Sequence, residues 1–270
     1  MSQQQQYLPR QQKISVDSRR RSTGANVNNF DYKIDLIARN KFNRCCVLQA
    51  EVPKSWLHLD ALTNTTYSIT ESVGALTLTS LVLPSTTAFT YRNYTATEWA
   101  TEVSTRLTAL SATGANSFTY TCVYDANTGL MTITKSGAGT FTVNFTNNYE
   151  LAKYTGLTQG INSSVALVLT GPNMANLQRY DVIYLKSNMG NNSGDTTIAE
   201  LYVNDFADLD VISFTASSVS GYSVAMSGMT TNFYSFSLLD YNNIGISLSG
   251  VDWRAIIVCY QDDDSKPLLI

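Results

Sequence analysis

Short runs in which apolar and polar residues alternate recur along the chain from residue 30 onward, with turn-forming residues between them. In residues 30–37 the alternation has a period of two, the spacing of side chains on one face of a β-strand. Asp125-Ala126-Asn127-Thr128-Gly129 predicts the turn of a β-hairpin over residues 118–135. Further strand-like runs lie at 45–52, 66–71, 76–83, 141–145, 165–169, 180–185, 197–203, 211–215, 233–238, 244–248 and 253–260. Because strands and helices do not alternate regularly, the pattern predicts an all-β sandwich or jelly roll rather than a parallel α/β fold.

Two helices interrupt the strand pattern. Thr95-Ala96-Thr97-Glu98 is a capping box, and it precedes an apolar stripe formed by Trp99, Val103, Leu107 and Leu110. Spacings of four, four and three residues place this stripe on one helix face, so we predict an amphipathic helix over residues 96–110. A second helix of about two turns is predicted over residues 149–154, where Gly156 is placed to end it.

Half of the Lys and Arg residues lie in the first 44 positions. This stretch carries nine basic residues and three Asp for a net charge of +6, whereas the remainder carries −9. Residues 1–28 are rich in Gln and lack a hydrophobic run, so they bury too little apolar surface to offset their ordering entropy. We therefore expect a flexible basic N-terminal arm over residues 1–28 and a compact body over residues 29–270.

The composition suits association with other subunits as well as it suits an ordinary Thr-rich β monomer. Only 14% of the residues are charged, and Ser, Thr, Asn and Tyr take the place of charged residues. Protein interfaces are likewise depleted in Lys and Glu and enriched in Tyr. The sequence has neither an apolar run of the roughly 18 residues needed to cross a bilayer nor the apolar core of a signal peptide. We therefore expect a protein without a membrane-spanning segment that is made and folded inside a cell.

Residues for catalysis or cofactor binding are scarce. The single histidine, His58, would have to act alone as a base or ligand, so we interpret it as a structural or surface residue. No phosphate loop, dinucleotide fingerprint or nucleophile elbow is present. The cysteines lack CxxC spacing, and we expect all four to be reduced and mostly buried: Cys45, Cys46, Cys122 and Cys259. The chain is predicted to be no enzyme, with no catalytic residue and no cofactor.

Two clusters of carboxylates are candidates for a metal site. Asp205, Asp208 and Asp210 offer oxygen ligands that suit calcium, but the glycine turn and the distal Glu of an EF-hand are missing. The run Asp262-Asp263-Asp264 is interpreted as a solvated boundary near the end of the domain. No metal site is predicted at either place.

Arg19, Arg20 and Arg21 are the candidate assembly residues. Three adjacent arginines could neutralise the phosphates of a genome, or they could dock on the acidic faces of neighbouring subunits. Three are few for packaging nucleic acid, and no aromatic residue stands among them for base stacking. Docking on protein is therefore favoured, while a weak genome contact through the arm stays open.

The order of segments resembles the minor capsid, or penton, proteins of the double-jelly-roll lineage of DNA viruses, the virophage and Polinton-like group. The resemblance covers most of the chain and is carried by Ser18-Arg19-Arg20-Arg21-Ser22-Thr23, Asn29-Phe30-Asp31-Tyr32, the segment from Asn43 to Trp56, Tyr94-Thr95, Tyr124-Asp125 with Thr128-Gly129, Tyr154-Thr155-Gly156-Leu157, Leu239-Asp240 and Val251-Asp252-Trp253.

The resemblance implies a jelly roll that forms a pentamer at capsid vertices, or a minor component that cements capsomers. It also implies that the arm reaches beneath neighbouring subunits and that an insertion sits on a single jelly roll. We place this insertion, with both helices, at about residues 84–160. Two stacked β modules divided near residue 160 are the alternative.

The sequence therefore predicts a virion structural protein, a penton or minor capsid component, which assembles with itself and with neighbouring major capsid proteins. It would be located in the virion after synthesis and assembly inside the host cell. The alternative is a receptor- or glycan-binding head of a viral spike or fibre. A spike head needs a trimerising stalk before it, and residues 1–28 contain neither heptads nor fibrous repeats.

Overall fold

The computed structural model describes residues 11–36, 42–60, 66–73, 76–81, 88–114, 117–145, 148–190, 195–203, 207–226 and 232–262. Its elements are β1 (Gln11–Asp17), a 3-10 turn (Ser18–Arg20), β2 (Thr23–Asn26), β3 (Asn29–Lys33), β4 (Arg44–Pro53), β5 (Ser68–Val73), β6 (Leu76–Leu81), α1 (Ala96–Thr113), β7 (Tyr120–Asp125), β8 (Leu130–Lys135), β9 (Thr140–Asn144), α2 (Tyr149–Thr155), β10 (Ile161–Ser163), β11 (Val168–Thr170), β12 (Val182–Ser187), β13 (Thr197–Tyr202), β14 (Val211–Thr215), β15 (Val224–Ala225), β16 (Phe233–Leu239) and β17 (Arg254–Tyr260).

The chain folds into two units. The first, called here the sandwich unit, consists of Met1–Trp56 and Tyr180–Ile270. The second, called the inserted unit, consists of Leu57–Arg179. The inserted segment is therefore longer than the predicted range of 84–160. The alternative, a division into two consecutive modules near residue 160, is wrong because the residues from 180 onward fold with the first 56.

The sandwich unit has two antiparallel sheets. The first sheet has the order β1-β17-β4-β14, with β15 also paired to β4, and the second has the order β13-β12-β16-β3-β2. Along the chain, β1, β4, β14 and β17 fall in the first sheet, whereas β3, β12, β13 and β16 fall in the second. This repeated exchange between two four-stranded sets is the connectivity of a jelly roll. The predicted all-β jelly-roll fold is thus confirmed.

Alternate residues of these strands fill the core between the sheets. In β16, Tyr234, Phe236 and Leu238 are fully buried, while the residues between them are partly exposed. The Phe30 ring lies 5.6 Å from the Trp253 ring, and the Trp253 indole N–H donates to the carbonyl oxygen of Val27 at 2.6 Å. The period of two in the sequence therefore reflects one buried face on each strand. Residues 244–248, predicted as a strand, form only an isolated bridge between Leu239 and Gly245.

The N-terminal segment is ordered from Gln11 onward. β1 pairs with β17 over its whole length, from Gln11 opposite Tyr260 to Asp17 opposite Arg254, and it buries Ile14 and Val16 in the core. The expectation of a flexible arm over residues 1–28 is therefore wrong for residues 11–28, and residues 1–10 lie outside the described residues. The physical reason is that β1 gains its order from a strand at the far end of the chain, which the local composition does not reveal.

The inserted unit has two smaller sheets and both helices. Its sheets have the orders β10-β9-β5-β6 and β11-β8-β7. The predicted hairpin is present as β7 and β8, with Asp125 opposite Leu130 and Gly129 at a positive φ of 71°. The α2 helix ends at Gly156 in the left-handed conformation, where a Cβ would collide with the carbonyl oxygen of Asn173. Only glycine fits this helix end without strain.

The α1 helix has the predicted cap and the predicted buried stripe. The Thr95 hydroxyl accepts from the Glu98 backbone N–H, and the Glu98 carboxylate accepts from the Thr95 backbone N–H at 2.9 Å. Hydroxyl groups on the helix also accept hydrogen bonds from the backbone of β7, with Ser104 bonded to Cys122 N–H and Thr108 bonded to Tyr120 N–H. The helix thereby satisfies the open edge of this strand. Among the described residues, no helix combines the length and the apolar character that crossing a bilayer requires.

Candidate assembly surface

Arg19, Arg20 and Arg21 lie in the tight turn that carries the chain from β1 in the first sheet toward β2 in the second. The Asp17 side chain caps this turn by accepting from the Arg19 backbone N–H at 3.0 Å. The Ser18 hydroxyl donates to Asp252 at 2.7 Å and accepts from the Trp253 backbone N–H at 3.0 Å. The arginines therefore lie on a fixed edge of the sandwich unit.

The three arginines have different environments. Arg19 forms a two-pronged ion pair with Asp17, in which the closer contact is 2.6 Å. This hydrogen-bonded pair lowers the pKa of the Asp17 carboxyl to about 2. Arg21 donates to the carbonyl oxygens of Ser18 and Gly24 at 2.9 and 3.0 Å. Arg20 is exposed and makes no hydrogen bond or ion pair within the described part of the chain, so its charge is available to a partner.

A second surface, at the opposite edges of the two sheets, was not found by reading the sequence. We call it the acidic groove: a cavity of about 660 Å³ between β13 and β14, which are edge strands of different sheets. Its lining includes the carboxylates Asp195 and Glu200 and the aromatic residues Tyr202, Phe214 and Tyr222. Two of these rings are well exposed, since Tyr202 is 63% exposed and Tyr222 is 49% exposed. One sequence signal marks it: no Lys or Arg occurs between residues 187 and 253, a stretch with seven Asp and Glu residues.

His58 is a buried structural residue of the inserted unit. Its Nδ1 atom accepts from the Tyr94 backbone N–H at 3.0 Å, and its own backbone N–H donates to Asn93 at 2.7 Å. Its carbonyl oxygen accepts from the Tyr154 hydroxyl at 3.0 Å. Through its ring and its backbone, His58 therefore joins the residues before α1 to Tyr154 of α2.

The carboxylates of the candidate calcium cluster that the structure describes make ion pairs and hydrogen bonds within the fold. Asp208 forms an ion pair with Lys54 at 3.3 Å, and Asp210 accepts from the Ala207 backbone N–H at 3.1 Å. Asp262 forms an ion pair with Arg44 at 3.5 Å. Asp205, Asp263 and Asp264 lie outside the described residues. Within the described ranges, no group of three or more His, Cys, Asp or Glu residues is arranged to hold a metal ion.

All four cysteines are free and buried, as predicted. Burial raises the pKa of the Cys46 thiol to about 11 and those of Cys122 and Cys259 to about 12. A thiol with a raised pKa carries little of the reactive thiolate at neutral pH. The cysteines therefore serve as small core residues.

A buried polar cluster lies in the core of the inserted unit. The Tyr120 hydroxyl donates to the Glu71 carboxylate at 2.7 Å, and both side chains are buried. The Lys135 ammonium lies 3.7 Å from the centre of the Phe118 ring and donates to the Ala138 carbonyl oxygen at 2.6 Å. Burial and the bond to Glu71 both raise the pKa of Tyr120. Because Glu71 and Lys135 are each 1% exposed, a substrate has no access to them.

Comparison with known proteins gives a structural match only. No family model and no curated protein sequence matches this chain. The crystal structure of the selenomethionine-labelled mavirus penton protein is similar, with a TM-score of 0.57 and 11% sequence identity. The similarity covers 93% of this chain and 99% of the mavirus chain. The chain therefore shares its fold with a viral penton protein over nearly the whole length of both.

Proposed function

We propose that this chain is a virion structural protein, a penton or minor capsid component. The observation that carries the proposal is the similarity to the mavirus penton protein, which extends over 99% of that chain. The similarity thus includes the jelly roll together with residues inserted between β4 and β12. A shared insertion in one loop of a common fold is more specific than the jelly roll alone, because jelly rolls serve many functions.

The proposed partners are further copies of the chain and neighbouring major capsid proteins. A ring of five copies at a vertex is the assembly that the penton similarity favours. Low charge and abundant Tyr, Ser, Thr and Asn suit surfaces that become buried against such partners. The protein would be made and assembled in the host cell and would be located in the capsid.

No enzymatic activity is proposed. The residues that a sequence search would select for chemistry have structural roles: His58 accepts a backbone N–H, Asp208 pairs with Lys54, and Cys122 is buried. The fold itself is shared with a protein of a structural kind. These observations support a role in which surfaces, rather than reacting groups, carry the function.

Incorporation into particles tests the proposal. Particles of the encoding virus, purified on a density gradient and washed in high salt, should contain the chain at a fixed ratio to the major capsid protein, as measured by quantitative mass spectrometry. Empty shells should contain it at the same ratio as filled ones. A chain that is absent from washed particles, or that is lost together with the genome, would contradict the proposal.

A further inference from the structure

The two lateral edges of the sandwich unit carry opposite charge. At one edge lie β1 and β2, the terminal strands of the first and second sheets, joined by the turn that holds the arginines. At the other edge lie β14 and β13, which line the acidic groove together. Residues 11–26 contain four Lys and Arg against one Asp, whereas residues 195–215 contain only acidic charges. The charge separation therefore follows the order of the strands.

The basic edge presents cations that the fold does not use. The side chains of Lys13 and Arg20 are exposed and make no hydrogen bond or ion pair among the described residues. The Arg19 side chain is 65% exposed although it pairs with Asp17. Because Ser18 and Trp253 hold the turn, the backbone that carries Arg19 and Arg20 is already positioned before a partner arrives. Preorganised groups lose less entropy on binding than groups on a flexible arm.

The acidic groove offers the matching chemistry for an arginine. Glu200 is exposed, and the Asp195 side chain is 57% exposed although it lies 3.6 Å from Lys186. The Tyr222 ring packs edge-on against Phe214, with 5.9 Å between ring centres, and keeps about half of its surface exposed. A guanidinium can stack on such a ring while it pairs with a neighbouring carboxylate. Among the described residues, β13 and β14 each pair with a strand on one side only, which leaves backbone groups for a partner.

We propose that the acidic groove of one copy binds the Arg19–Arg20 turn of a second copy. The contact joins two different edges of the same fold, so it is heterologous, and repetition of a heterologous contact generates a closed ring or a filament. The expectation that the repeated contact closes into a ring, and does not form a filament, rests on the proposed function. The contact adds to that function the two surfaces that meet and their order, basic edge into acidic groove.

Charge exchange across the contact tests it on the full-length chain. Glu200→Arg and Arg20→Glu should each weaken self-association by about tenfold or more, as measured by sedimentation at low salt, because each places like charges in apposition. The double variant should regain most of the wild-type association, since it restores opposite charges with their order reversed. Raising the salt from about 0.05 to about 0.5 M should weaken the wild-type assembly.

Two matched neutral substitutions serve as controls. Arg92→Gln and Glu150→Gln remove the same types of charge from the inserted unit and should leave association unchanged. A double variant that associates no better than either single variant would overturn the proposed contact. Unchanged association in both single variants would overturn it as well. In either case the incorporation of the chain into particles would still decide the proposed function separately. A wild-type chain that remains monomeric at every concentration would also overturn the contact.

Discussion

The sandwich unit and the inserted unit are stabilised by contacts of different range along the chain. In the sandwich unit, β1 pairs with β17 and β3 pairs with β16, so each sheet joins the two ends of the sequence. In the inserted unit, β7 pairs with the next strand, β8, and α1 covers the edge of β7 directly after it in the chain. The α1–β7–β8 part of the inserted unit can therefore be predicted from local sequence signals, whereas the outer strands of the jelly roll depend on partners at the other end of the chain.

Removal of β1 should have the largest effect and should be confined to the sandwich unit. Deletion of residues 1–28 removes the buried Ile14 and Val16 and leaves β17 without one of its neighbours. One large-to-small substitution in a core already costs about 2–5 kcal/mol, so the loss of a whole strand should unfold this unit. Hydrogen exchange with mass spectrometry should show rapid exchange in β17 and continued protection of β7 and β8. Deletion of residues 1–10 is the control, and equal protection of β17 in both deletions would show that β1 is dispensable.

Trp99→Ala should have the next largest effect, confined to the inserted unit. Trp99 is fully buried, and its ring centre lies 4.8 Å from that of Phe89 and 5.9 Å from that of Tyr154. Truncation should reduce the free energy of unfolding by about 3–5 kcal/mol in denaturant titrations. Trp99→Phe should cost less, because it keeps a ring and removes an indole N–H that has no hydrogen-bond partner among the described residues. A loss of association with unchanged stability would instead show that the helix stripe is an interface.

Thr95→Ala should have a smaller effect on the same unit. The substitution removes the hydroxyl that accepts from Glu98 N–H and so opens the capping box of α1. Loss of an N-cap hydroxyl costs about 1 kcal/mol. Thr97→Ala, an exposed change within the first turn, should leave the stability the same or slightly higher, since Ala favours helix. Equal melting temperatures for the two variants would mean that the cap contributes nothing.

The smallest predicted effect is a titration at the basic edge. The ion pair with Arg19 lowers the pKa of Asp17 from 3.8 to about 2. A lowered pKa in the folded state contributes stability that is present above the unfolded value and is lost as the pH falls through about 2. Nuclear magnetic resonance should show the Asp17 carboxyl titrating near pH 2, and Arg19→Gln should return it toward 3.8. Arg20→Gln should raise it less, and equal shifts in both variants would show that the specific pair is not the cause.

Local signals predicted several elements correctly for identifiable reasons. The α1 helix follows from a capping box and a stripe within one segment, and the β7–β8 hairpin follows from Asp125 to Gly129 between two alternating runs. The limits of the inserted unit could not be predicted in this way, because β5 gains its place by pairing with β9, so that Ser68 lies opposite Asn144. The start of the jelly roll was missed because Ile14 and Val16 are too few to mark a strand by periodicity.

The candidate surface was only partly accessible from the sequence. The three arginines could be identified from their clustering, but their different environments depend on Asp17, Gly24 and Asp252, which meet only in the folded edge. The acidic groove needs the two sheets to be stacked before Glu200 and Tyr222 share a surface. In the sequence, the groove is marked only by the stretch without Lys or Arg between residues 187 and 253. This stretch indicates an acidic face but does not show where that face lies.

Electron cryo-microscopy of purified particles tests the central claim most directly. The proposal predicts five copies of the sandwich unit around each vertex, with the Arg19–Arg20 turn of one copy against the acidic groove of the next. Density for the chain only on projecting fibres or spikes, or no density for it in the shell, would contradict the capsid role.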